Sequence, residues 1–295
     1  MHRWYPRKGA VMDFIAFARS HGIIINELPP VGVWKRYRTE DHPKKKNGSV
    51  NYMGTHGFVQ NHALSTVTAL WKPDSVNGQP SDMRAIIVSQ AKAEQARKKL
   101  ATEAVSKAVR MLNDSGYTTH PYLERKGFPD ETGNVLTIDG QRVLLIPMRC
   151  GKSLVGVQQI WPDGQKKFLY GQRTAGATFS FDNKGINIVC EGYATALSVR
   201  AAMKQMKQRY HIHVCFSAGN MVKVAAGLEP GLVIADNDKS GTGQQAAAEI
   251  GWPVWMSDRE GEDANDAHRR MGLFAFSQSL TQSMLDIGAA RHHQR

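Results

Sequence analysis

Five acidic side chains in the last third of the chain stand where their type and spacing could do chemistry. Glu191 follows the apolar run Ile186-Asn-Ile-Val-Cys190, Asp236 and Asp238 follow Gly231-Leu-Val-Ile-Ala235, and Asp263 and Asp266 follow Val254-Trp-Met256. Each run reads as a short strand, so each acid falls just beyond a strand's carboxyl end. In a parallel α/β sheet, ligands bind there. Asp236 and Asp238 share one tight loop, and carboxylates that close repel each other unless a hard cation sits among them. Mg²⁺ suits such a site: it takes oxygen ligands, uses one or two carboxylates, keeps waters and meets substrate phosphates. Singly, Glu191 could cap a helix and Asp236 could begin an Asx turn. Their shared position at strand ends favours the metal site.

The elements that must place these acids can be read from the pattern. From residue 186 onward, strand-like runs alternate with helical stretches at 193–208, 221–226, 243–250 and 264–271. Such alternation implies βαβ units and a parallel sheet. His211 and His213 alternate within one strand and read as structural. Upstream, residues 117–185 carry strand-like runs (Val143–Ile146, Leu154–Val157, Lys167–Tyr170) between the turns Asp139-Gly140 and Asp163-Gly164. Residues 82–113 lack Gly and Pro, are rich in Ala, Lys, Glu and Gln, and predict a long helix. Residues 1–85 mix short strand-like runs with Gly, His, Trp, Tyr and Pro. The expected organisation is a basic, aromatic N-terminal α+β module at 1–85, a helical connector at 86–116, a basic β-rich unit at 117–185, an α/β domain at 186–285 and a flexible tail at 286–295.

Charge divides the 295 residues unevenly. Residues 186–295 hold eleven Lys/Arg and eleven Asp/Glu, so the whole net charge of +12 lies in residues 1–185. A basic excess of that size fits a polyanionic partner, nucleic acid before an anionic membrane surface. In the N-terminal module, Lys35, Arg36, Arg38, Lys44, Lys45 and Lys46 stand among Trp34, Tyr37, Tyr52 and Phe58. Cations for phosphates and rings for bases are what single-strand binders use; the alternative is a small β domain whose rings are core. Three cysteines, with no Cys-x-x-Cys among them, exclude a four-thiolate zinc site and a disulfide framework, and fit a reducing cytoplasm. No apolar run is long enough to span a membrane, and the N-terminal stretch, broken by Asp13 and Arg19, does not read as a signal peptide.

Several motifs carry a resemblance. Val189-Cys-Glu-Gly-Tyr-Ala-Thr-Ala-Leu197 resembles the glutamate motif of Toprim domains, the fold shared by DnaG-type primases, type IA and II topoisomerases and some nucleases. Ala235-Asp-Asn-Asp-Lys-Ser-Gly241 resembles their DxD motif in its primase form, Phe216-Ser-Ala-Gly-Asn220 the Gly turn between them, and Gly261-Glu-Asp-Ala-Asn-Asp266 the third acidic segment. Upstream, Tyr122-Leu-Glu-Arg-Lys-Gly127, Arg142–Met148 with Gly151–Gly156, and Lys166-Lys-Phe-Leu169 are similar to segments of the primase catalytic core, in the manner of short zinc-free primases of phages and plasmids. The chain departs from that pattern at Thr195 and Asn265, where bacterial primases carry Asp, and by one residue inserted between Arg142 and Pro147.

The resemblance implies a Toprim-type parallel sheet preceded by a basic primase subdomain, and synthesis of short RNA primers on single-stranded DNA. Glu191, Asp236 and Asp238 would be catalytic, and with Asp263 would hold Mg²⁺, for which Mn²⁺ could substitute; no zinc is implied. Arg142, Lys152, Lys166, Lys167, Lys239 and Asn220 would meet nucleotide or template. The implied partners are a single-stranded DNA template, ribonucleoside triphosphates and a replicative helicase on a separate chain, since Gly151-Lys-Ser153 has Ile146 where a phosphate loop needs Gly. The rival readings are a Toprim nuclease, which shares the acids but not the upstream motifs, and a non-catalytic Toprim DNA-binding module.

Overall fold

The computed structural model describes residues 8–54, 56–65, 67–72 and 80–292. The chain forms two compact units, residues 1–98 and 99–295. Among the described residues no helix is long and apolar enough to cross a membrane.

In the first unit, helix α1 (Lys8–Ser20) precedes five antiparallel strands that pair in chain order: β1 (Ile23–Ile24), β2 (Lys35–Thr39), β3 (Gly48–Tyr52), β4 (Gly57–Asn61) and β5 (Ala69–Trp71). Strand alternation sends Val50, Tyr52, Val59 and Trp71 to one face, where they pack on Phe14, Ile15 and Ala18 of α1. The Phe14 ring lies 5.0 Å from Tyr52 and 5.3 Å from Trp71. So Tyr52 and Trp71 are core rings, while Trp34 and Phe58 lie outside that cluster. Helix α2 (Pro80–Asn113) spans the boundary between the units.

The second unit has three layers. Ala104, Ala108 and Met111 on the last part of α2 form a stripe against Val143, Leu145 and Val157. That stretch, expected as a connector, is therefore part of the second unit's core. The strands it covers form an antiparallel meander: β6 (Gly116–Thr118), then after helix α3 (Pro121–Arg125) β7 (Gly133–Ile138), β8 (Gln141–Cys150), β9 (Ser153–Ile160) and β10 (Lys166–Phe168). Asp139 and Gly140, at φ 50° and 74°, make the β7–β8 turn with the two left-handed residues of a type I′ hairpin. The meander's other face, with Leu144, Ile146 and Met148, joins the apolar cluster of the third layer.

The third layer is a sheet in the order β11 (Phe179–Asp182), β13 (Tyr210–Val214), β12 (Ile186–Cys190), β14 (Leu232–Ala235), β15 (Val254–Met256). All its strands are parallel except β11. Alternation again divides the faces. Ile188, Cys190, Ile212, Val214 and Ile234 pack towards α4 (Tyr193–Gln205) and α7 (Ala264–His292). Val189, Cys215, Val233 and Ala235 pack towards α5 (Ala218–Ala225) and α6 (Thr242–Ile250). Two boundaries differ from the sequence reading. The sheet begins at Phe179, because Phe179 and Phe181 reach the Tyr193 ring at 5.5 and 5.9 Å and draw β11 onto the edge. And α7 continues to His292, with a break at Gly272, through the stretch expected to be a tail.

Two close approaches depend on glycine. A Cβ at Gly231 would lie 1.9 Å from the Asn187 carbonyl oxygen, and one at Gly185 1.9 Å from the Arg209 backbone. Gly231→Ala should therefore cost about 3 kcal/mol of stability. Gly140→Ala, with open space around it and only left-handed strain to bear, should cost about 1 kcal/mol. Urea denaturation of the two variants tests that order; equal losses would contradict the packing.

Candidate active site

The parallel sheet contains one topological switch. From β12 the chain passes to β13 on one side and then crosses to β14 on the other. Such a crossing leaves a crevice beyond the carboxyl ends of the two diverging strands. Glu191 ends β12 and Asp236 ends β14, so both acids stand at that crevice.

Local structure holds Glu191 there. Its carbonyl accepts from Phe216 N at 2.9 Å, continuing the β12–β13 ladder. Phe216 takes a left-handed φ of 67°, turning the chain so that Ser217 caps α5 and the Ala218 amide donates to the Glu191 carboxylate. Asn220 secures the turn. Its Oδ1 accepts from Gly176 N at 2.7 Å, and its Nδ2 donates to the carbonyls of Ala177 and Cys215, both at 2.8 Å. The Asn220 amide, expected to meet nucleotide or template, makes these backbone hydrogen bonds in the structure.

Asp236 is held from the other side. A Cβ at Gly243 would fall 2.5 Å from the Asp236 carbonyl oxygen, so only glycine lets α6 approach. Asn237, between the two aspartates, donates to Ser257 O at 3.0 Å and accepts from Gln244 at 3.0 Å, tying the loop to β15 and α6. The sequence reading gave Asn237 no role.

A cleft of about 580 Å³ opens over these strand ends. Glu191, Thr195, Asp236 and Asp263 line one side; Tyr122, Arg125, Lys126 and Lys166 enter from the α3 and β9–β10 segments, and Arg269 from α7. Burial and neighbouring acids raise both central carboxyls. Asp236 is pushed up to about 7, first by burial and then by Glu191 and Asp263, with Lys166 pulling the other way. Glu191 is raised by burial and Asp238, and lowered by Lys166 and the Ala218 amide. Lys166 is therefore the cation closest in effect to both acids. Asp236 Oδ1 is buried with no hydrogen-bond partner among the described residues.

The other expected residues lie as follows. Asp238 is exposed and turned into its own loop, accepting from Ser240 N at 2.9 Å and Ser240 Oγ at 2.6 Å. Asp263 caps α7, accepting from Asp266 N at 2.8 Å, and faces Lys126 at 3.8 Å. Lys239 pairs with Glu260 at 3.5 Å. Arg142 donates to the Thr119 carbonyl, Lys167 sits 4.6 Å over the Trp161 ring, and the Lys152 carbonyl accepts from Arg149; none of these three cations lines the cleft. Arg125, Lys126 and Arg269 line it instead. Arg125 and Lys126 lie within the upstream motif, which was their only sequence signal. Lys35 lies beside Glu27 at 3.8 Å, Arg36 and Arg38 are exposed on β2, and Lys44, Lys45 and Lys46 occupy the exposed β2–β3 loop.

Residues 186–273 match the family model of the Toprim domain. The match covers the whole switch-point crevice, from β12 through the break in α7. No curated protein matches the chain. The Toprim domain is shared by primases, nucleases and topoisomerases, and typically binds Mg²⁺. Among the described residues no three His, Cys, Asp or Glu side chains converge closely enough to hold a metal ion. The residues present still fit Mg²⁺: the donors are oxygens only, Asp236 Oδ1 is buried without a partner among the described residues, and Mg²⁺ needs one or two carboxylates besides its waters.

The Asn265 departure also finds a structural reason. Its fully buried Nδ2 donates to the Lys126 carbonyl at 2.9 Å and to Ser198 Oγ at 3.0 Å, joining α7 to the end of α3. A carboxylate there could not donate to a carbonyl. Asn265→Asp should lower stability by about 3 kcal/mol at neutral pH, and a melting curve matching the parent's would refute this account. For Asp236 the sign is reversed. Its carboxyl binds a proton more tightly in the folded chain than in the unfolded one, so its ionisation costs stability as pH rises from about 4 to about 7. With metal chelated, Asp236→Asn should be more stable than the parent by about 2–4 kcal/mol at pH 8. The difference should shrink to nothing below pH 4, and a pH-independent difference would contradict it.

Proposed function

We propose that the protein is a DNA primase, joining ribonucleotides into short RNA primers on a single-stranded DNA template in the presence of Mg²⁺. One observation carries this reading among Toprim proteins. The upstream segments whose sequences resemble a primase core, Tyr122–Gly127 and Lys166–Leu169, put Tyr122, Arg125, Lys126 and Lys166 into the same cleft as the Toprim acids. A nuclease shares the acids without needing those segments.

In this reading Glu191 and Asp236 hold the cation, with Asp238 and Asp263 at the rim; Mn²⁺ could take its place. When bound, Mg²⁺ neutralises phosphate oxygens and favours ionisation of the attacking hydroxyl. Lys166, Arg125, Lys126 and Arg269 grip the triphosphate, because a desolvated cation makes a charge-assisted bond to phosphate oxygen. The 3′-hydroxyl oxygen of one nucleotide attacks the α-phosphorus of the next, and pyrophosphate leaves. The side chains form no covalent bond; their work is positioning and charge neutralisation. Arg142, Lys152 and Lys167, outside the cleft, meet the template backbone. A replicative helicase on a separate chain would supply the unwound template.

The test uses single-stranded DNA, labelled ribonucleoside triphosphates and Mg²⁺, with products separated by size. The parent should make short RNA. Glu191→Gln and Asp236→Asn should lower the yield at least 100-fold with DNA affinity kept or raised, since each removes a negative charge. Lys166→Ala should cost about 10- to 100-fold. If the parent cuts DNA and makes no RNA on any template, the nuclease reading replaces this one.

A further inference from the structure

The first unit has a sheet face that α1 does not cover. Cross-strand register settles what it carries. Arg36 pairs with Ser49 and Ser49 with Gln60; Asn51 pairs with Phe58 and Phe58 with Leu70. Residues directly opposite one another share a face, so these six form one surface, opposite to Val50 and Tyr52. Lys35, paired with Val50, belongs to the α1 side. Trp34 leans over the open face with its ring 6.2 Å from that of Phe58, and His56 meets the Phe58 edge at 5.3 Å. Trp34 is 51% exposed and Leu70 47%. Neither Trp34, Phe58 nor Leu70 belongs to an apolar cluster of the described residues.

The polar part of this face is ordered. Arg36 donates to Ser49 Oγ at 2.8 Å, and that hydroxyl meets His62 Nε2 at 2.7 Å. Burial and the Arg36 charge push His62 down to about 4, so the ring is neutral and the guanidinium is the fixed charge of the row. Between the rows lies Asn51, only 6% exposed, whose Oδ1 has no hydrogen-bond partner among the described residues. A buried amide oxygen without a donor is costly unless a ligand supplies one.

We infer that this open face of β2–β5 is a binding platform for single-stranded DNA, with a base stacked on Trp34 and Phe58, its N–H edge presented to Asn51 Oδ1, and its phosphates held by Arg36 and Arg38. The occupant follows from the chemistry. Exposed rings beside cations stack bases of any sequence, and residues 1–98 hold fifteen Lys/Arg against seven Asp/Glu, which opposes an acidic self-contact and favours a polyanion. Exposed Lys44, Lys45 and Lys46 add charge in the β2–β3 loop. The inference extends the template binding of the proposed function, but locates it in a unit that takes no part in the chemistry.

The experiment measures binding of the full chain to short labelled single-stranded oligonucleotides, with EDTA present, over a range of salt. Trp34→Ala and Phe58→Ala should each weaken binding about tenfold with the salt slope unchanged, because stacking is not ionic. Trp34→Phe should retain most of the affinity, and Arg36→Gln should weaken binding and flatten the salt slope. Circular dichroism checks that each variant folds. Unchanged affinity in both aromatic variants overturns the inference, as does a result in which they alter only self-association in sedimentation. RNA synthesis assayed in parallel on the same variants separates the two readings. Loss of binding in Trp34→Ala or Phe58→Ala stands even if no RNA is ever made, and RNA synthesis that survives with unaltered affinity in both aromatic variants sinks this inference alone.

Discussion

Two carboxylates, Glu191 and Asp236, stand at the ends of neighbouring parallel strands in a cleft that removes much of their water. Burial raises both carboxyls, Glu191 and Asp263 add to the rise at Asp236, and Asp238 adds to the field at both. Left alone, such a pair is a standing cost to the folded chain. The surrounding structure keeps it in place: the Ala218 amide and Lys166 oppose the charge, and close backbone packing prevents the acids from moving apart.

That packing explains why the cleft is built from two layers of the second unit, the parallel sheet and the meander with α3. The parallel sheet supplies the switch point and the acids. The meander and α3 supply Lys166, Arg125 and Lys126. Asn265 and Lys126 fasten the layers together at the cleft, through a buried amide bond and ion pairs to Asp263 and Asp266. The clustered acids and the groups that fasten the layers are thus neighbours, as expected where a site must hold like charges close without a flexible wall.

Much of this was legible in the sequence, for physical reasons. The short, near-continuous apolar runs before Glu191 and Asp236 read as strands buried on both faces, and the helices between them imply parallel pairing. The hairpin at Asp139-Gly140 and the long Ala-rich helix were equally plain. Three things were not. Lys166 and Lys167 are adjacent, and neighbours in a strand point to opposite sides, so composition could not say which enters the cleft. In the Asp236–Asp238 loop, only the Ser240 hydroxyl decides that Asp238 turns away. Strand β11 is four residues long and gains its identity from a partner about thirty residues later, which local pattern cannot supply. Arg269 sits in a helix with no periodic or motif signal and was invisible for that reason.

The central claim is that Glu191 and Asp236 form one site whose protons yield to a divalent cation. Calorimetric titration of the protein with Mg²⁺ in buffers of different ionisation enthalpy counts the protons released. With Asp236 near 7, binding at pH 7 should release about half a proton. Release should fade by pH 9 and vanish in Asp236→Asn. Binding without proton release at pH 7, or release that survives in Asp236→Asn, would contradict the account.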